Sequence, residues 1–148
     1  MGREAFITIN CNRYSKKIFD IINLFSKIGW SYYDSNNNIE YLPLGDKDTY
    51  DWQKKHIEVS ELKFMIDYKQ SNAETIGLYL YYKNSPIGIG LLARSTSEII
   101  IDLNINRQTY LHKNNSITDI SWYMQTIVME LVKNGCDITY IKFEDFVG

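Results

Sequence analysis

The side chains best placed to do chemistry sit close together in residues 45–55, GDKDTYDWQKK, where Asp46, Asp48 and Asp51 alternate with Tyr50 and Trp52. Carboxylates at this spacing raise the question of a cation, because Asp46-x-Asp48 opens like an EF-hand calcium loop. Such a loop needs glycine at its sixth position and a bidentate glutamate at its twelfth. Those positions hold Asp51 and Ile57, so no metal is expected here. Two readings stay open. The stretch is a solvated loop with Tyr50 and Trp52 tucked beneath it, or a contact surface whose acids steer a basic partner while the aromatics anchor it.

Other catalytic chemistry finds little support. His56 lies in a charged stretch and His112 in a polar one, neither with a partner at metal-ligand spacing. Nucleophile elbows, phosphate loops and dinucleotide fingerprints are missing from the sequence. Glu144 and Asp145 are adjacent in a strand-like run, so they point to opposite faces and do not form an acid–base pair. Cys11 and Cys136 make no metal pattern. Antiparallel pairing of the first and last strands would bring them near each other, and two buried, reduced thiols are expected.

The elements that must position these residues are organised around residues 75–106, TIGLYLYYKNSPIGIGLLARSTSEIIIDLNIN. Alternation places Ile76, Leu78, Leu80 and Tyr82 on one face, with Ile87, Ile89, Leu91 and Ala93 facing them after a turn at 83–86. A loop of two or four residues sets Leu78 against Leu91 and Leu80 against Ile89. On the other face it sets Tyr79 over Gly90 and Tyr81 over Gly88, where a ring can cover a strand glycine. Ile99, Ile101, Leu103 and Ile105 continue the buried face if the connection from 94 has odd length. Asp102 and Ile100 then join Tyr79 and Tyr81. That second face is either half covered by a helix or loop, or a platform for a partner.

Around this three-stranded meander, residues 4–10 alternate as a strand, and Ile18, Ile21, Ile22, Phe25 and Ile28 mark a helix closed by Gly29. Residues 30–34 and 38–44 flank Ser35-Asn36-Asn37 as a second hairpin. Ser60 is the expected cap of a helix over about 61–70. Ser116 or Thr118 is expected to cap another, with Ile120, Tyr123, Met124, Ile127 and Leu131 as its buried stripe and Asn134-Gly135 as its stop. Residues 136–146 read as a last strand. The expected architecture is one α+β domain over 1–148: a mostly antiparallel sheet with about three packed helices.

With 148 residues, 45% hydrophobic and 23% charged, the chain has the size and composition of one globular domain. A net charge of −2 gives no basic footprint for nucleic acid. No apolar run approaches membrane-spanning length, and Met1-Gly2-Arg3-Glu4 leads directly into a strand-like run, so neither a membrane nor a signal peptide is expected. The 12 tyrosines supply large contact areas with polar tips, which suits an interface.

Four stretches carry a resemblance: 39–53 (IEYLPLGDKDTYDWQ), 74–92 (ETIGLYLYYKNSPIGIGLL), 103–111 (LNINRQTYL) and 118–125 (TDISWYMQ). In style the chain resembles bacterial immunity proteins of polymorphic or contact-dependent growth-inhibition toxin systems. The resemblance implies a cytoplasmic, non-catalytic protein that binds a cognate toxin C-terminal domain one to one and blocks its active site, without cofactor or small-molecule ligand. A nuclease toxin would offer a basic cleft to the acids at Asp46, Asp48 and Asp51. The alternatives are a protein-binding adaptor and an acetyl-CoA-dependent enzyme. The order of elements from 78 to 143 is similar to that of acyl-CoA N-acetyltransferases. Those hold pyrophosphate on a glycine-containing loop at a helix N-terminus. The corresponding residues here, 107–116, contain no glycine.

Overall fold

The computed structural model describes residues 2–112 and 116–148. It is an α+β fold built on an 8-stranded antiparallel sheet. In chain order the elements are β1 (Arg3–Asn10), α1 (Ile18–Lys27), β2 (Trp30–Ser31), β3 (Ile39–Tyr41), β4 (Gln53–Lys55), α2 (Val59–Ser71), β5 (Ile76–Tyr82), β6 (Gly88–Ser95) and β7 (Glu98–Ile105). A third helix, α3, follows as an α-helical turn (Ile120–Tyr123), a π-helical stretch (Met124–Met129) and a last α-helical turn (Glu130–Lys133), before β8 (Tyr140–Val147). Across the sheet the strand order is β4-β3-β5-β6-β7-β1-β8, with β2 also paired to β5.

The meander forms in the expected register except at its end, where a register shift between Gly88 and Gly90 sets Ile105 opposite Gly88 and turns it from the expected buried face to the side of Tyr81. Leu78 faces Leu91, Leu80 faces Ile89, Tyr79 faces Gly90 and Tyr81 faces Gly88. Its first turn centres on Lys83 and Asn84, both at positive φ (43° and 59°), with the Ser85 amide donating to the Tyr82 carbonyl. Positive φ at both central residues matches the twist of a two-stranded ribbon. The second connection sets Ala93 opposite Ile99, so five residues intervene, with Ser95 opposite Glu98 and a one-residue bulge between them. That bulge absorbs the odd residue that the alternation requires. β1 pairs with both β7 and β8, which closes the sheet around the first strand in the chain.

One face of the sheet carries the core. Ala5, Ile7 and Ile9 of β1 join Ile76, Leu78, Leu80, Ile89, Leu91, Ile99, Ile101 and Leu103 beneath the buried faces of the three helices. Gly29 (φ 107°) and Gly135 (φ 94°) end α1 and α3 in the left-handed region, as their sequence positions suggest. The α1 N-terminus has no cap of its own. The Ile18 amide donates instead to Gln70 Oε1 of α2 at 2.9 Å, and Gln70 Nε2 donates back to the Lys16 carbonyl at 2.7 Å. One glutamine thus satisfies an orphan amide and ties the two helices together.

Four local expectations change. Residues 30–34 and 38–44 do not pair with each other. β2 and β3 lie in succession along the same edge of β5, with Trp30 opposite Tyr82 and Tyr41 opposite Leu78. Between them the Asp34 carboxylate accepts the Asn36 and Asn38 amides, closing a small local excursion. The hairpin partner of β3 is β4. Helix α2 begins at Val59 after Glu58, so Ser60 is in its first turn and not its cap. The α3 cap is Asp119, which accepts the Trp122 amide at 3.2 Å, while the Thr118 amide donates to Asp145. The expected stripe itself is kept through the π-helical stretch: Tyr123, Ile127, Val128 and Leu131 are buried, and Trp122 and Met124 pack partly buried against the core. The last strand begins only at Tyr140. The loop expected at 107–116 runs into residues 113–115, outside the described residues.

Candidate partner-binding surface

The second face of the sheet has no helix over it among the described residues. From β1, Phe6 and Thr8 point to this side, since Phe6 lies opposite both Asp102 and Glu144. Asp102, Gly90 and Tyr79 form one row across β7, β6 and β5. Tyr79, Tyr81, Leu92, Ile100 and Asp102 are all half-buried, neither packed away nor fully solvated. The tyrosines lie over the strand glycines, as the alternation predicts. A Cβ on Gly88 would stand 3.1 Å from the Tyr81 ring, and one on Gly90 would stand 3.3 Å from the Tyr79 ring.

Residues 42–52, between β3 and β4, fold back onto this same face. Trp52 stacks on Tyr79 with ring centroids 4.5 Å apart. It also reaches over Gly77, where a Cβ would come within 2.8 Å of the indole and 2.6 Å of Leu42. The loop and the sheet face are therefore one surface, joined through Trp52, and not two separate candidates.

The acids of the loop have other duties. The Asp46 carboxylate turns inward and accepts the amides of Thr49, Tyr50 and Asp51, at 3.0, 3.2 and 2.8 Å. The Asp51 amide above all holds that carboxyl below the ordinary carboxylate range. Asp48 is paired with Arg94 at 2.6 Å and accepts the Thr75 hydroxyl at 3.0 Å, and the Arg94 bond lowers its pKa. Thus Asp46 organises the loop and Asp48 clamps it to β6. Tyr50 (48% exposed) and Asp51 remain at the surface. Asp48 and Tyr50 both adopt positive φ (63° and 55°), a sign of how tightly the loop is wound.

The negative potential of the surface comes from elsewhere. Glu40 of β3, Asp102 of β7, Glu4 of β1 and Glu144 of β8 share the open face, against Lys54 and Lys142. Burial pushes the carboxyl of Asp102 upward, with Glu4 adding to the shift. Burial, then Glu40, also raises Tyr79 and Tyr81. Sequence reasoning missed Glu4 and Glu40. Their alternation with Ala5 and with Ile39 and Tyr41 was the available signal, but the face of β3 is set by its contact with β5.

Two clefts border the aromatic row. One, of about 610 Å³, is lined by Tyr33, Asp34, Lys54, Tyr81 and Ile105 among others. The other, of about 410 Å³, lies between Tyr50, Arg94, Leu92 and Ile100. At the α3 N-terminus, where a phosphate would need free amides, the Asp119 carboxylate already accepts the Trp122 amide. Comparisons with family models, with curated proteins and with solved structures return no match.

Proposed function

We propose that this chain is an immunity protein that neutralises a toxin domain by one-to-one binding through the open sheet face. The observation that carries the proposal is the row Trp52, Tyr79, Tyr81 and Asp102, held half-buried on the side opposite the helices. Aromatic anchors with an acidic surround suit a basic protein surface, with the aromatics supplying contact area and Glu4, Glu40, Asp51 and Asp102 the attraction. The bordering clefts give a partner's side chains places to insert. The resemblance of the sequence supplies the kind of partner, a toxin C-terminal domain, and the cytoplasmic setting in which it would be met.

Co-expression tests this. The C-terminal domain of a candidate toxin encoded beside this chain is expressed alone and then together with it. The expected result is arrested growth in the first case and normal growth in the second, with a one-to-one complex on purification. Arrest that persists in the presence of folded chain overturns the proposal.

A further inference from the structure

The two edges of the sheet are very different. At one end β4 has three residues, Gln53–Lys55, all exposed and two of them lysine. Short, lysine-bearing edges discourage pairing with other chains. At the other end β8 has eight residues, YIKFEDFV, without proline, and among the described residues it pairs only with β1. Tyr140, Ile141, Phe146 and Val147 along it are between 40% and 57% exposed. The regular ladder with β1 gives the direction of the free backbone groups. Gly148 donates to the Gly2 carbonyl in register with the Val147–Arg3 pair. By alternation, the even-numbered residues of β8 bond β1, and Ile141, Phe143, Asp145 and Val147 present their amides and carbonyls outward.

We propose that β8 pairs antiparallel with β8 of a second copy of this chain, about a twofold axis at Phe143. The side chains select this register. Lys142 and Glu144 are on the open face, two residues apart. With Phe143 opposite itself, Lys142 lies opposite Glu144 of the second copy, twice over, and Tyr140 lies opposite Phe146. An axis at Lys142 sets lysine against lysine, and one at Glu144 sets glutamate against glutamate. An axis between residues joins the open face of one copy to the core face of the other. The register centred on Phe143 also brings outward-pointing backbone groups together, as a hydrogen-bonded ladder needs. Ile141 then falls opposite Asp145, whose carboxylate is already bound by Arg3 at 2.8 Å and by the Thr118 amide. Such an interface is isologous and closed, so it makes a dimer and not a fibre. It lies at the far end of the sheet from Trp52, so both copies keep their aromatic row free.

Sedimentation of the purified chain over about 1 µM to 1 mM tests this. A concentration-dependent dimer is expected. Lys142→Glu or Glu144→Lys each set like charges opposite one another, and each should raise the dimer dissociation constant roughly tenfold. The double reversal, Lys142→Glu with Glu144→Lys, restores opposite charges and should restore the dimer. A melting curve for each variant shows that it is folded. A monomer across the whole range overturns the proposal, and so does a dimer that the single reversals leave intact or that the double reversal fails to rescue. Monomer alone, with β8 protected from amide exchange only by another protein's strand, would assign the edge to that partner instead.

Discussion

Trp52 and Tyr79 stack with ring centroids 4.5 Å apart and planes tilted by 39°. Through this contact a loop between two short strands becomes part of the face of an eight-stranded sheet. The aromatic row on the open face depends on it, since Trp52 also covers Gly77. Trp52→Ala should leave the fold intact at a cost of about 1–3 kcal/mol, the range for truncating a large, half-buried ring. Binding to the partner should weaken by about 2 kcal/mol or more, as for an aromatic anchor. Denaturation curves and titration calorimetry on one preparation separate the two. Unchanged affinity would take Trp52 out of the interface.

The glycines under the row are not equivalent. A Cβ at Gly77 would stand 2.6 Å from Leu42 and 2.8 Å from Trp52, both closer than real contacts allow. At Gly90 the nearest atom is the Tyr79 ring at 3.3 Å. Gly77→Ala should therefore cost about 1–3 kcal/mol, the usual range for overpacking. Gly90→Ala should cost less, because the half-exposed Tyr79 ring can move and alanine restricts the unfolded chain. Urea denaturation of the two variants side by side checks the order.

What could be read from the sequence follows a physical rule. Up to the shift that turns Ile105, the register of β5, β6 and β7 was legible because side-chain alternation and two tight turns fix it locally, down to Tyr79 on Gly90 and Tyr81 on Gly88. β4 was not legible, because Gln53, Lys54 and Lys55 are all exposed and show no alternation. The placement of β2 and β3 was hidden because both answer to β5, whose partner residues Tyr82 and Leu78 lie far downstream of Trp30 and Tyr41. The acids failed for another reason. Residue type does not say whether a carboxylate faces solvent or its own backbone, and Asp46 faces its own backbone. The open face was visible as an alternative, but only the packing of all three helices on the other side decides that it stays uncovered.

The loop should open in acid. Asp46 and Asp48 are held below the ordinary value of 3.8 by the Asp51 amide and by Arg94 respectively. A depressed carboxyl contributes stability that is present above its unfolded pKa and lost as pH falls through its folded one. The contribution is thus intact at about pH 5 and disappears below the ordinary value. Asp102 has the opposite sign. Burial raises its pKa, so the folded state takes up that proton more readily and loses nothing by it on acidification. The amide resonances of Thr49, Tyr50 and Asp51 should therefore shift together below pH 3.8 while the strand signals near Asp102 persist. Independent shifts at higher pH would show that the carboxylate does not organise the loop.

Tyr81 and Asp102 separate binding from packing most cleanly. The Tyr81 ring lies 3.1 Å from the position of a Cβ on Gly88, so Tyr81→Ala uncovers the glycine and should reduce both stability and affinity. Tyr81→Phe keeps the ring and removes only the hydroxyl, so its melting temperature should match the parent. If the face binds a partner, its affinity should fall by a net hydrogen bond, about 1 kcal/mol. Asp102→Asn keeps an oxygen to accept the Asn104 amide, which bonds Oδ1 at 2.8 Å, but deletes the charge that burial disfavours. Its stability should be equal to the parent or higher. Its association with a basic partner should slow, and slow most at low salt, where steering is least screened. Stopped-flow association rates at two ionic strengths read this directly. Equal rates for the parent and the Asp102→Asn variant at both would mean that the Asp102 charge does not guide the partner, leaving Glu4, Glu40 and Asp51 as the acids that could steer it.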